Sequence, residues 1–431
     1  MRRLALTLSI ALSASAFSAT AASAQEPAAP VGGTIGVFLD CHARYCDFDH
    51  FRREISFVNW MRDRQDADVH LLITMQETGG GGYAYTFAFI GLRDFEAQED
   101  TLQYASSADD TQAEVRDALT RTIKLGLIPF IVGTPVAELI DIGYEAPEVA
   151  LVTGDETVYD PWNYWVFRLS VGGSAQGESL QRFWSGDASF RANRTTEALK
   201  LTLRSHYSGS REEFDGVDEE TGQDTTIVGV RTFWNVDLLS AWTLTDHWSA
   251  GAMAEIEHSS TRNTSVGAAI GPSIEYNIFP WIESTRRQIA ILYTIGVAGF
   301  QYMEETIFGV TSEVRPMHLL DISSEFQQPW GSVDVSLEAF QYLNDLSLHS
   351  VELDGGFNLR IFRGLEFGVF GNVARVKDQI YLSAEEATPE EILLQLQQRG
   401  TDFFFGLHFN ISYRFGSKFN NVVNPRMRGG F

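Results

Sequence analysis

His206 and Ser208 stand two residues apart in H-Y-S-G, a spacing that puts a base and a hydroxyl on one side of a strand. A serine nucleophile needs that base within hydrogen-bond reach and a third group to orient it. No supporting asparagine stands beside them, and Leu199, Leu201 and Leu203 claim the alternate positions, turning His206 and Ser208 to the polar side with Arg204. Ester hydrolysis is therefore not expected, and no catalytic set is assigned. The only cysteines, Cys41 and Cys46, lie in C-H-A-R-Y-C. His42 adds one metal ligand, but no second pair completes a tetrahedral set, so a structural disulfide is expected, with no metal and no cofactor. Glu212, Glu213, Asp215, Asp218, Glu219, Glu220 and Asp224 form an acidic stretch without the order of a calcium loop, which reads as a solvated external loop. Gly79 to Gly82 is not followed by the Lys-Ser/Thr of a phosphate loop and reads as a flexible hairpin tip.

The larger set of ionisable residues only makes sense once strands position it. From Asp402 the chain reads D-F-F-F-G-L-H-F-N-I-S-Y-R-F, apolar on odd positions and polar on even ones from Gly406. Successive strand residues face opposite sides, so one face is greasy and the other wet. The pattern returns about twelve times: roughly 164–177, 181–193, 197–211, 225–239, 246–258, 264–279, 287–303, 315–327, 331–343, 346–362, 365–380 and 401–416. Compact connections after the even segments alternate with mainly longer polar ones after the third, fifth, seventh and eleventh. The last of these, Glu385 to Arg399, has helical composition. Short turns at one end and long loops at the other are the rhythm of an outer-membrane β-barrel.

Alternation then places Arg168, Arg191, Lys200, Arg204, Arg231 and Arg414 on the lumen side. Glu255, Glu257, Glu275, Asp321, Glu325, Asp334, Glu338, Glu352 and Asp354 line the same side of later strands. Asp187, Asp237 and Arg360 break the grouping. With the twelfth strand beside the first, the result is a basic wall facing an acidic wall. Two interiors fit this: one filled by cross-lumen ion pairs, and a water-filled pore with a transverse field.

The N-terminus has Arg2 and Arg3, an apolar run from Leu4 to about Phe17, and small residues ending Ala22-Ser23-Ala24, the order of a secretory signal cleaved before Gln25. No later apolar run is long enough for a membrane helix. The formal net charge is -25 and grows more negative when Arg2 and Arg3 leave. So acidic a chain is a poor binder of nucleic acid or anionic lipid. Residues 33–135 read differently, as β-α-β-β-α. Thr34 to Leu39 suits a buried strand, and Asp49 is expected to cap a helix with the stripe Phe51, Ile55, Val58 and Met61. Val69 to Met75 and Tyr83 to Leu92 form a hairpin, and a helix follows Asp110 or Thr111 with Val115, Ala118, Leu119 and Ile123 inward. Residues 136–160 are a connector, and 417–431 a tail.

Helix Phe51 to Arg64, strand A-D-V-H-L-L-I and the glycine-broken hairpin resemble the small N-terminal α/β domain of the Tol-system propeller protein. That resemblance implies a periplasmic interaction module, and so a periplasmic protein partner. W-V-F-R-L-S-V-G-G-S-A-Q-G, R-A-N-R-T-T-E-A-L-K-L-T-L and G-L-H-F-N-I-S-Y-R-F resemble the salt-stress-induced outer-membrane barrels of unknown function. Some twelve-strand outer-membrane proteins are phospholipases with serine, histidine and asparagine on the lipid side, which the inward His206 and Ser208 do not match. The expectation is a β-barrel membrane protein of about twelve antiparallel strands, preceded by a small periplasmic α/β domain. Its partners are outer-membrane lipid and the barrel assembly machinery, which would read Phe409 through Phe415. It either passes or binds a small polar solute or anchors its periplasmic domain.

Overall fold

The computed structural model describes residues 32–140, 143, 160–217, 224–385, 394, 396–398 and 400–421. The signal sequence, most of the connector, Asp218 to Gln223 and most of the Glu385–Arg399 segment lie outside the described residues.

The N-terminal domain is a five-stranded sheet ordered β2-β1-β3-β4-β5, with β1 Gly36–Cys41, β2 Asn59–Met61, β3 Val69–Glu77, β4 Tyr83–Gly91 and β5 Glu99–Ala105. β1 is parallel to both neighbours; the rest is antiparallel. Helices α1 (Phe48–Glu54) and α2 (Gln112–Ile131) complete it. Parallel β1 and β3 are covered on both faces, which is why V-H-L-L-I reads as a continuous run rather than an alternation. The core unites Val37, Phe51, Ile55, Leu71, Ile73, Phe87 and Phe89 with Val115, Leu119, Ile123, Leu127 and Phe130 along α2. Thr111 caps α2 in a reciprocal capping box with Glu114.

Three expectations for this domain need correction. Asp47, not Asp49, caps α1, its carboxylate accepting from the His50 amide at 2.9 Å. α1 ends at Glu54, so Val58 reaches the core from a turn and Met61 lies in β2. The two extra strands β2 and β5 were hidden, because one is three residues long and the other is mostly polar.

Twelve antiparallel strands follow: β6 Trp165–Gly177, β7 Gln181–Thr195, β8 Leu199–Val217, β9 Asp224–Thr243, β10 Trp248–Ser259, β11 Thr264–Asn277, β12 Arg287–Tyr302, β13 Ser312–Gln328, β14 Gly331–Tyr342, β15 His349–Phe362, β16 Leu365–Val376 and β17 Phe403–Tyr413. Each pairs with the next in sequence. Glu212 and Asp224 sit in β8 and β9 rather than in a loop, since these two strands run well beyond their neighbours.

The sheet curls. One small domain bonds the turn ends from β7 (Glu77 to Arg191, 3.3 Å) to the segment after β17 (Arg62 amide to Lys418 carbonyl, 2.9 Å). Laid flat, ten strand spacings of about 4.8 Å would separate those points by roughly 48 Å, beyond the reach of a domain of about 100 residues. The barrel seam lies between β6 and β17, and among the described residues no ladder joins them. The expectation that the last strand pairs with the first is not met in this structure.

The outward face is apolar and open: Leu169 is 73% exposed, Val171 78%, Ile270 59% and Phe405 72%. A water-soluble protein does not leave so wide a greasy surface uncovered. Outward Trp242 and Trp234 are eight residues apart on β9; at about 3.3 Å per residue and a tilt near 40° that is roughly 20 Å of height. Tyr207 stands opposite Trp234, and Trp248, Tyr276 and Tyr413 share the level of Trp242, giving aromatic rims to an apolar band. The chain is a β-barrel membrane protein with an α/β domain at the short-turn end.

Candidate functional site at the two mouths of the barrel

Asp40 closes the apolar run of β1 and is 4% exposed. Arg360, at the short-turn end of β15, grips it with both terminal nitrogens, at 2.5 Å and 2.7 Å. A planar guanidinium fits a carboxylate in this forked geometry. Phe38 lies under the same guanidinium at 5.4 Å, and the Pro329 carbonyl accepts from it at 3.3 Å. His70, fully buried on β3, places Nε2 3.1 Å from Asp40. His42 Nε2 is 2.9 Å from Asp40 Oδ1, within ion-pair reach but outside hydrogen-bonding geometry. The Cys41–Cys46 disulfide closes the loop that carries His42.

Burial alone would push the Asp40 carboxyl up, but close-lying His42, the hydrogen bonds from His70 and Arg360, and the Arg360 charge hold it well below the usual carboxylate range. For His70 burial dominates and lowers its pKa against the pull of Asp40. We therefore assign a neutral His70 donating from Nε2, because Arg360 already balances the Asp40 charge.

Around this clamp the domain ties itself across the barrel mouth. Arg363 meets Asp66 at 2.6 Å, the Gly364 amide donates to Asp63 at 2.5 Å, and Gln76 donates to Ser284 at 2.7 Å. The Gly79–Gly82 tip is not free: a Cβ on Gly79 would lie 2.4 Å from the Thr195 side chain. The expected flexible tip is a docking tip, made of glycine because it abuts the β7–β8 turn.

The opposite mouth has its own cover. After β16 the chain turns inward, and Ile380, 1% exposed, packs on Ala298, Met317, Tyr342 and Leu348. The Ile307 amide donates to the Leu382 carbonyl at 2.9 Å, and the Gln398 amide to Thr261 at 2.9 Å. Leu394 and Leu396 lie against Gly229 on β9. This segment therefore reaches from β16 across to β9.

Between the covers, strand register puts the expected charged residues on one face. Arg168, Arg191 and Arg204 are cross-strand partners, and Arg204 faces Asp237, which faces Glu255. Asp321, Glu338 and Glu352 form one row, Glu325 and Asp334 pair directly, and Asp354 follows two residues after Glu352. Lys200, Arg231, Glu257 and Glu275 share this face. Ion pairs do not bridge the two walls: among the described residues Arg191 meets Glu77 of the domain, Arg231 meets Glu212, Arg262 meets Glu257, and Arg414 meets Glu366. Arg414 lies just past the end of β17, at the rim rather than in the lumen. Glu255, Glu325, Asp334 and Glu338 are open to solvent. The acidic stretch on β8 is held by arginine instead, with Arg182 bonded to Asp215 and Arg211 to Glu213 at 2.8 Å.

His206 and Ser208 are on the inward face, as the alternation requires. The asparagine missing in sequence is supplied across the ladder: Asn235 pairs with His206, but its amide is given to Asp237 at 2.8 Å. No nucleophile–base hydrogen bond forms there among the described residues.

Asp40, His70, Arg62 and Arg64 went unnoticed in the sequence, and Arg360 stood out only as a cation among acids. The one legible signal was the charge ending T-I-G-V-F-L-D, a buried strand with no local partner for Asp40.

No family model matches the chain, and no curated protein is similar to it. Among solved structures it is similar to the NanC porin in a rhombohedral crystal form, at 10% identity over 57% of this chain and 99% of that one, TM-score 0.27. It is also similar to the Pseudomonas putida toluene transporter TodX, at 9% identity over 48% and 72%, TM-score 0.23. A porin refined at 1.8 Å gives 9% identity over 58% and 100%, TM-score 0.24. The fold assignment stands on strand order, register and the apolar outer face.

Proposed function

We propose that this protein is an outer-membrane channel for small polar solutes, favouring cationic ones, whose periplasmic mouth is gated by the α/β domain. One observation carries the reading: the inward carboxylates of β10–β15 are accessible and, among the described residues, mostly without a cation within ion-pair distance. Packed barrels neutralise such groups, because an unpaired charge in a dry interior is costly. Carboxylates kept wet instead concentrate cations along a path. The domain at the short-turn end is periplasmic in this reading, and β17 presents its aromatic row to the assembly machinery. No reaction is assigned to the chain.

The test is the reversal potential of the purified full-length protein across a planar bilayer under a salt gradient. A cation-favouring potential that shrinks in Glu338→Gln/Glu352→Gln supports the channel. The covers at both mouths favour a second reading, a closed barrel that anchors the domain for a periplasmic partner. Silence from folded protein, and also from variants that loosen each cover, would establish that reading in place of the first.

A further inference from the structure

A cavity of about 110 Å³ opens beside the Asp40 clamp, between the 3-10 turn Arg64–Asp66 and the turn ends of β13 to β17. Its polar wall is Arg62, Arg64, Arg360 and Arg414 with the carboxylates Asp63 and Glu366, and beside them stand Trp330, Phe362 and Leu365. The charges are unevenly matched. Arg360 is taken by Asp40, and Arg414 by Glu366 at 2.9 Å. Asp63 spends its two oxygens on the amides of Gln65 and Gly364. Arg64 makes no side-chain hydrogen bond or ion pair among the described residues, and its buried Nε has no acceptor. Arg62 reaches the Gly416 carbonyl at 3.3 Å, but its Nε is likewise buried and unpaired. Two guanidiniums with idle buried donors make an oxyanion site, since arginine forks match the oxygens of a phosphate.

The apolar side says what carries the phosphate. Phe362 is 54% exposed and Trp330 44%, and Phe362 meets outward Tyr413 with ring centroids 6.3 Å apart. This row is the lower aromatic rim of the barrel, where headgroups meet acyl chains. We infer that the cavity binds the phosphate of an anionic phospholipid headgroup, with Arg62 and Arg64 as its forks and the Trp330–Phe362 row beside the acyl chains. The strongly acidic chain as a whole gives no hint of this, because the basic rim is local. The inference needs only the membrane placement of the barrel and is independent of whether the lumen conducts.

The test places full-length protein in neutral phosphatidylcholine nanodiscs doped with phosphatidylglycerol, then counts retained lipids by native mass spectrometry. One phosphatidylglycerol per chain is expected, with retention falling roughly tenfold or more in Arg62→Gln/Arg64→Gln. Arg53→Gln, an exposed arginine on α1, should leave retention unchanged. Heat-modifiable migration checks that each variant folds. If the double variant does not fold, displacement from the wild-type protein by soluble glycerophosphoglycerol decides the matter. Retention that survives the double substitution, or in the folding-failure case resists the competitor, overturns the inference. So does a site that takes inorganic phosphate but holds no lipid.

Discussion

Replacing Asp40 with asparagine tests the proposed gate at its tightest point. The change is nearly isosteric, so packing around β1 is kept while the forked bond to Arg360 is lost. Removing one partner of a buried pair costs about 3–5 kcal/mol, because the other charge is left uncompensated. The Arg360 side chain is 25% exposed and can turn partly to water, so the lower end applies. About 3 kcal/mol is roughly a 150-fold shift from docked to undocked domain. Other side-chain ties, among them Arg363–Asp66, Glu77–Arg191 and Gln76–Ser284, are at the exposed rim and are worth about 1 kcal/mol or less each. Single-channel recording should show the open probability of Asp40→Asn rising by about two orders of magnitude where the wild type is mostly closed. Hydrogen exchange distinguishes undocking from unfolding: amides of β2 should lose protection while those of β4 keep it. Arg360→Gln should act in the same direction, and the double variant should fall short of the sum of the two. Equal open probabilities in wild type and Asp40→Asn, with β2 protection unchanged, would refute the clamp.

Four further outcomes are expected. His70 has a lowered folded pKa, so its contribution is fully present above the unfolded value of 6.5 and erodes as pH falls through the lowered one; domain melting by calorimetry should drop in mild acid, and less so in His70→Gln. Asp40, also lowered, contributes fully above the ordinary carboxylate range and only stops below it, so melting between pH 5 and 8 should not report on Asp40. Ile380→Ala should release the outer cover at a local cost of about 2–5 kcal/mol, seen as faster proteolysis between β16 and β17 with an unchanged barrel melting point. Cys41→Ser/Cys46→Ser should lower the domain's unfolding free energy by about 2 kcal/mol in urea titration, the chain-entropy value for so short a loop.

The barrel was legible because alternation is a local signal that survives in every strand. β6 to β16 start and end close to the segments read from sequence, except chiefly where β8 extends into an acidic stretch that looks like loop. Arg182 on β7 and Arg231 on β9 neutralise that stretch across the ladder, a fact no single segment displays. The clamp was illegible for a related reason. Asp40 and Arg360 are 320 residues apart, and each looks like an ordinary charge until the fold brings them together. α1 was read too long because Val58 and Met61 continue its spacing, although Val58 serves the core from a turn and Met61 lies in β2.

The tail beyond β17 also sets an order of events. β2 has β1 on one side only; its other edge is bonded by Lys418 to the Arg62 amide and by Asn420 and Asn421 to Trp60, while Met61 bridges to Phe419. The domain leaves the ribosome first, yet its outer strand finds these partners only among residues made after the last barrel strand. Until those residues are made its outer edge is therefore unfinished. Its completion marks the moment when the barrel's two ends have been brought to the same place. Residues 418–421 act as a closing stitch, and removing them should leave a folded barrel with a loosely hung domain.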